Sequence, residues 1–173
     1  TRELVEYCQP SVMVSKKGVN IGIIGAIGDC YSSISGDKRD GFYFVTGSSL
    51  TSLVQAEAEK LREEGADFII YSVHEDMSGY SDGLSQYVDI VFEGHSHQAY
   101  VRTDGKGVYH LQGGGDNSGI SHAQVVINYA NESYKVQSAE VVRSSVYGAY
   151  DKDPLVDELL KKYADKISLA DQV

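Results

Sequence analysis

The sequence predicts an α/β domain built on a mixed sheet with flanking helices. Apolar runs too continuous for a half-solvated strand occur at Val19–Ala26, Phe68–Val73 and residues 88–92, as expected for strands buried on both faces. An amphipathic helical pattern separates the first two runs. After residue 97 the pattern changes to short apolar segments divided by turn signals.

The first run, VNIGIIGA, is rich in β-branched residues and bounded by glycines. Between residues 49 and 64, Leu50, Leu53, Val54, Ala58 and Leu61 recur at helical spacing, with serines at the entry and Gly65 at the exit, which predicts one amphipathic helix. The strand FIIYSV follows it. Residues 81–87 are expected to form a short helix before a strand at 89–92, giving a second β-α-β crossover of the kind that builds parallel sheets. Residues 100–103 and 108–112 flank the turn signal Asp104-Gly105-Lys106-Gly107, and 123–129 and 134–142 flank Ala130 to Ser133. Both pairs read as antiparallel hairpins. Asp153 is placed to cap a helix over 154–167, with Leu155, Val156, Leu159, Leu160, Tyr163 and Ile167 on one face.

With 173 residues, 42% of them hydrophobic, the chain is long enough for one domain with a real core. Its net charge of −10, from 25 acidic against 15 basic residues without a basic cluster, excludes a nucleic-acid polymer as the expected partner. No stretch approaches the roughly 18 apolar residues of a membrane span.

Cys8 and Cys30 form no C-x-x-C pair. Both read as small apolar residues, with a single bridge between them open if the protein is exported. Gly22, Gly25 and Gly28 are spaced G-x-x-G-x-x-G, and no helical periodicity follows them, so a dinucleotide site is not expected. Strand glycine instead allows close packing by a neighbour.

The chemistry concentrates in Gly94-His95-Ser96-His97, directly after the apolar stretch 88–92. Two imidazoles at i and i+2, in a tight turn beyond a buried strand, can enter one cleft, and imidazole suits zinc, manganese and iron. His74 ends the preceding strand in the same way, and α/β sheets place their chemistry at strand ends. His74, His95 and His97 are therefore the candidate metal ligands. Glu75, Asp76 and Glu93 are candidates to orient them, or else solvated turn residues. His110 and His122 read as structural or solvated.

At these residues the sequence resembles the second half of the calcineurin-like metallophosphoesterases, in particular the 5'-nucleotidase and 2',3'-cyclic-nucleotide phosphodiesterase branch. The resemblance runs from about residue 19 to 142, through GVNIGIIGAIG, a helix ending EGADFII, the strand ending in His74, VDIVFEGHSH and VYHLQGGG. It implies one side of an α-β-β-α sandwich. In the family, histidines matching His74 and His95 ligate one metal and the histidine matching His97 ligates the other, so the complete domain is expected to hold two divalent ions: zinc, manganese or iron. The implied reaction is hydrolysis of nucleotide phosphomonoesters or cyclic phosphodiesters, a step of nucleotide catabolism, through a two-metal-activated water.

The family's Asp-x-His, Gly-Asp and Gly-Asn-His motifs cannot be placed in the chain. Gly28-Asp29 and Gly36-Asp37 match the second only superficially. The catalytic residues are thus expected in a missing N-terminal half, and the chain alone is expected to be inactive and to self-associate. Residues 1–150 read as the second half of the phosphoesterase domain, and 151–173 as a linking helix toward a C-terminal nucleotide-recognition domain. The glycine-rich loop with Gly113, Asp116 and Asn117 either borders the substrate, because glycine lets backbone approach a ligand closely, or is a plain hairpin loop. The resemblance also implies a secreted protein in an extracellular, periplasmic or cell-surface location. Its alternatives are a catalytically inactive binding or structural module, and a polysaccharide-linked relative of the same superfamily.

Overall fold

A computed structural model describes residues 5–75, 83–116, 118–131 and 133–170, with the backbone alone for 165–170. Six strands form one mixed sheet in the order β1-β2-β3-β4-β6-β5. They are β1 (Ser11–Lys16), β2 (Val19–Ala26), β3 (Phe68–Val73), β4 (Ile90–Phe92), β5 (Ala99–Thr103) and β6 (Tyr109–Gly113). The strands β2, β3, β4 and β6 run parallel, while β1 and β5 pair antiparallel at the two edges. The expected mixed α/β sheet is therefore present.

The continuous apolar runs follow from this arrangement, because each parallel strand buries side chains on both faces. Ile69, Tyr71 and Val73 of β3 join Ile24, Val91 and the helix residues Val54, Ala58 and Leu61 in one core. Phe68, on the opposite face, joins Ile90, Leu111 and Val136 in a second core, with Ile70 packed against it. The helix of the first core, α2 (Gly47–Glu63), makes the β2-to-β3 crossover. Gly22 lets it approach: a Cβ there would lie 2.9 Å from Leu61 Cδ1. The second core is closed by residues of β7 (Gly119–Asn128) and β8 (Ser133–Arg143), which form a separate two-stranded sheet.

Three features depart from the sequence reading. The edge strand β1 was not anticipated. Gly28–Ser33 forms a 3-10 turn and Gly36–Arg39 a single helical turn, α1, both too short to leave an amphipathic period. Of the short helix expected over 81–87, residues 81 and 82 lie outside the described residues. The rest forms turns, in which the Tyr87 and Val88 N–H groups donate to the Leu84 carbonyl.

The chain divides into two compact units, Thr1–Val142 and Arg143–Val173. The second contains α3 (Ser144–Tyr147) and α4 (Pro154–Ala170). Asp153 caps α4 as expected, its Oδ1 accepting from the Leu155 and Val156 N–H groups at 2.9 and 3.2 Å. Leu155, Val156, Leu159 and Leu160 are exposed on it. No described helix is long and apolar enough to cross a membrane.

Candidate metal centre

Three adjacent parallel strands deliver three donor side chains to one place. Cys30 follows β2, His74 follows β3 and His95 follows β4. Their alignment is fixed by backbone bonds that continue the sheet: His74 N–H donates to the Ala26 carbonyl at 3.0 Å and Gly94 N–H to the Glu75 carbonyl at 3.2 Å. The His74 and His95 rings stand edge to face with centroids 5.3 Å apart. One ligand atom from each of Cys30, His74 and His95 lies within 4.8 Å of the other two. Thiolate and imidazole together suit a borderline-soft divalent ion such as zinc, so the donor set fits a metal.

Cys30 was read from sequence as a small apolar residue, and it is buried; both cysteines are free, Cys8 exposed. Its proximity to the histidines was missed. His74 follows β3 directly, whereas Cys30 lies in the 3-10 turn after β2, so the strand-end signal was weaker for it. Glu75 supports its position. The buried Glu75 carboxylate lies against Gly28 and accepts the Asp29 N–H at 3.2 Å, while Asp29 Oδ1 accepts the Gly47 N–H at 3.2 Å. Burial pushes the Cys30 thiol above its usual range, and the charges of Glu75 and Asp29 add to the shift, outweighing its own backbone hydrogen bond. Burial, then the charges of Glu75, Asp29 and Glu93, likewise drives the Tyr71 hydroxyl well above its ordinary value. Glu75 and Asp29 thus place two carboxylates beside Cys30, which favours a cation there. Asp76 lies outside the described residues.

The Gly94-His95-Ser96-His97 turn is strained. His95 and His97 hold φ of 77° and 58°, a left-handed conformation that costs a residue with a Cβ about 1–3 kcal/mol. Ser96 tethers the turn: its Oγ donates to Gln112 Oε1 at 3.1 Å and accepts from Gln112 Nε2 at 3.0 Å. Two glycines make room for the rings. A Cβ on Gly94 would lie 2.9 Å from His74 Nδ1, and one on Gly115 would lie 2.6 Å from His97 Cγ. His97 therefore packs beside the loop after β6 and is not in the Cys30, His74 and His95 group. Of the three loop residues singled out, Gly113 ends β6, Asp116 has φ of 51° and Asn117 lies outside the described residues.

The close approaches carry a prediction. Gly94→Ala should force the His74 ring aside and Gly115→Ala the His97 ring, each without a φ penalty. Misorienting a ligand through its support costs ~10–100-fold in metal affinity, so zinc titration should register a loss of that order in Gly94→Ala, while Gly115→Ala, beside a ring outside the Cys30, His74 and His95 group, should leave that zinc bound. Unchanged zinc binding in folded Gly94→Ala would show that the position of the His74 ring does not matter to an ion.

Glu93 does not orient these histidines. It is buried and points to the other side of β4, where its Oε1 meets His110 Nδ1 at 2.9 Å and Arg102 Nη2 at 3.2 Å, and its Oε2 accepts from the Tyr100 hydroxyl. His110 Nε2 in turn faces Asp104 Oδ2 at 3.3 Å. Burial alone would raise the Asp104 pKa, but bonds from Ser85, the Lys106 and Val108 N–H groups and His110 hold it below the usual carboxylate value. His110 is thus a fully buried structural residue. His122 is exposed, 3.1 Å from Glu140.

No family model and no curated protein matches the chain. Several solved structures share its fold. Calcineurin-like phosphoesterase YfkN from Bacillus subtilis has a TM-score of 0.70 at 16% identity, over 93% of this chain and 58% of that one. Sulfate thiohydrolase SoxB from Thermus thermophilus has a TM-score of 0.67 at 15% identity, over 90% of this chain and 29% of its own. A 5'-nucleotidase from Candida albicans has a TM-score of 0.54 at 16% identity, over 91% and 33%. The chain therefore spans between about a third and somewhat over half of the length of these proteins. Its architecture, a six-stranded mixed sheet with a helical crossover, is a fold it shares with these solved structures, among them a calcineurin-like phosphoesterase and a 5'-nucleotidase.

Proposed function

We propose that the chain is the second half of a metal-dependent phosphoesterase domain that hydrolyses nucleotide phosphomonoesters or cyclic phosphodiesters. The observation that carries this reading is the convergence of His74 and His95 from the ends of adjacent parallel strands, with rings 5.3 Å apart, on a fold shared with phosphoesterases. His74 and His95 are proposed to hold one divalent ion and His97 a second. When bound, such a pair of ions neutralises charge on a phosphoryl group and activates the attacking water. The protein's part is to fix the rings: Gly94 and Gly115 give them space, and Gln112 holds the turn through Ser96.

The strain at His95 and His97 supports the reading, since left-handed residues with side chains persist where the surroundings impose them and cluster at functional sites. Gly113, Asp116 and Asn117 are proposed to border the substrate beside His97. Residues 1–150 are assigned to this half domain and 151–173 to a linking helix. The proposal includes the partners the resemblance implies: an N-terminal half carrying the catalytic residues, a C-terminal nucleotide-recognition domain, and self-association of the isolated chain. A location outside the cytoplasm belongs to the same reading.

The test compares the 173-residue chain with a longer protein that adds the Asp-x-His, Gly-Asp and Gly-Asn-His segments. Phosphate release from a 5'-nucleotide and ring opening of a 2',3'-cyclic nucleotide are measured with and without added zinc or manganese. The longer protein should turn over at least one of these substrates in a metal-dependent way, and the chain alone should show almost none. Metal-stimulated turnover by the purified chain alone would refute the half-domain reading. An inert longer protein would favour a binding module.

A further inference from the structure

We propose that Cys30 is a thiolate ligand, the third protein donor to the ion held by His74 and His95, so that this chain carries a Cys-His-His zinc site of its own. The site rests on His74 and His95 acting as ligands, as proposed above, and adds a donor that the family resemblance does not assign. The ligand atoms of all three residues already lie within 4.8 Å of one another. Around a tetrahedral zinc ion, with Zn–N near 2.1 Å and Zn–S near 2.3 Å, donors stand roughly 3.3–3.6 Å apart. Side-chain adjustments of about an ångström close the difference.

The backbone holds Cys30 in place for this. The 3-10 turn that carries it is pinned by the Asp29 N–H bond to Glu75 and by the Gly47 N–H bond to Asp29. Its sulfur contacts the Ile27 carbonyl at 2.9 Å, and the exposed Cys8 is not bonded to it. Three protein donors leave a fourth position open, as in catalytic rather than structural zinc sites. The surrounding charge is compatible as well: a divalent ion with one thiolate and two neutral imidazoles keeps a single positive charge, beside the carboxylates of Glu75 and Asp29. Binding breaks the Cys30 S–H bond, forms a metal–sulfur bond and releases the proton to buffer. A thiolate in the set selects zinc over the harder manganese and magnesium ions.

Cobalt(II) serves as the spectroscopic probe, titrated into the 173-residue chain. The expected spectrum has visible bands of a tetrahedral ion and a near-ultraviolet thiolate-to-cobalt charge-transfer band, both erased by zinc. Loss of an outer-shell partner alone weakens metal binding ~10–100-fold, so Cys30→Ser should weaken cobalt binding at least about tenfold and remove the charge-transfer band, whereas Cys8→Ser should keep it. If Cys30→Ser fails to fold, the Cys8→Ser chain, in which Cys30 is the one remaining thiol, decides by itself. Visible bands without a charge-transfer band would overturn the Cys30 ligand and leave the histidine ligands standing. A charge-transfer band that survives in Cys30→Ser, or disappears in Cys8→Ser, would overturn it too, and no cobalt binding at all would overturn both assignments. Hydrolysis is not the readout, so these outcomes are independent of the phosphoesterase test.

Discussion

His110→Ala should destabilise the folded chain by about 2–5 kcal/mol, from the cavity left by a fully buried ring and the loss of a hydrogen-bond partner to two buried carboxylates. His110 is fully buried, with Glu93 at one ring nitrogen and Asp104 at the other. Its removal leaves the Glu93 side chain, itself without solvent exposure, short of a partner, and opens a cavity between β4 and β6. Thermal unfolding should shift down on the order of 10 °C for a chain of this size. His122→Ala is the control: its pair with Glu140 has side chains 55% and 64% exposed, and exposed pairs of this kind contribute at most about 1 kcal/mol. Equal stability of the two variants would show that the network does not hold the sheet.

The same network sets an acid limit. Asp104 is held below the ordinary carboxylate value in the folded state, with its opposing burial outweighed by hydrogen bonds. The folded state therefore binds the Asp104 proton less readily than the unfolded chain does. Its contribution is present above the unfolded carboxylate's titration and is lost as pH falls through the depressed folded value. Stability should accordingly drop below the usual carboxylate range, and Asp104→Asn should lose part of its stability at neutral pH and flatten that decline.

The strands β2, β3 and β4 and the helix α2 were legible because parallel strands covered on both faces must be apolar throughout, which leaves a signal a single sequence can show. The strand β1 left no such signal. Val12 and Val14 point outward, 48% and 41% exposed, while Met13 packs inward on the first core, so apolar residues occupy both faces without alternation. In the site, His74 and His95 were legible because each follows a strand within three residues. Cys30 was not, because free cysteine is usually buried for packing and a turn separates it from β2. The Glu93 partnership was hidden for another reason: it depends on the parallel register that sets Val91 beside His110, a pairing 19 residues apart in sequence. Asp104 looked like a turn residue and is one, yet its second oxygen completes the network.

The strand-end geometry makes the three candidate histidines separable. His74→Ala and His95→Ala each remove a donor from the one group whose ligand atoms lie within 4.8 Å. Loss of a direct ligand exceeds the ~10–100-fold effect of losing its support, so zinc retained by the 173-residue chain after equilibrium dialysis should fall to background in both. His97→Ala should behave differently. That ring sits against Gly115, beside the loop after β6, and is proposed to serve the second ion, so the first zinc should remain bound in this variant. In the longer protein all three substitutions should abolish hydrolysis, because a phosphoryl group clamped between two ions needs both. Circular dichroism on each variant separates ligand loss from unfolding, since His95 and His97 lie on an outer turn whose replacement by Ala leaves both cores intact. Full zinc retention by His74→Ala and His95→Ala would refute the ligand assignment. Loss of the first zinc in His97→Ala would mean that the three histidines share one ion rather than two.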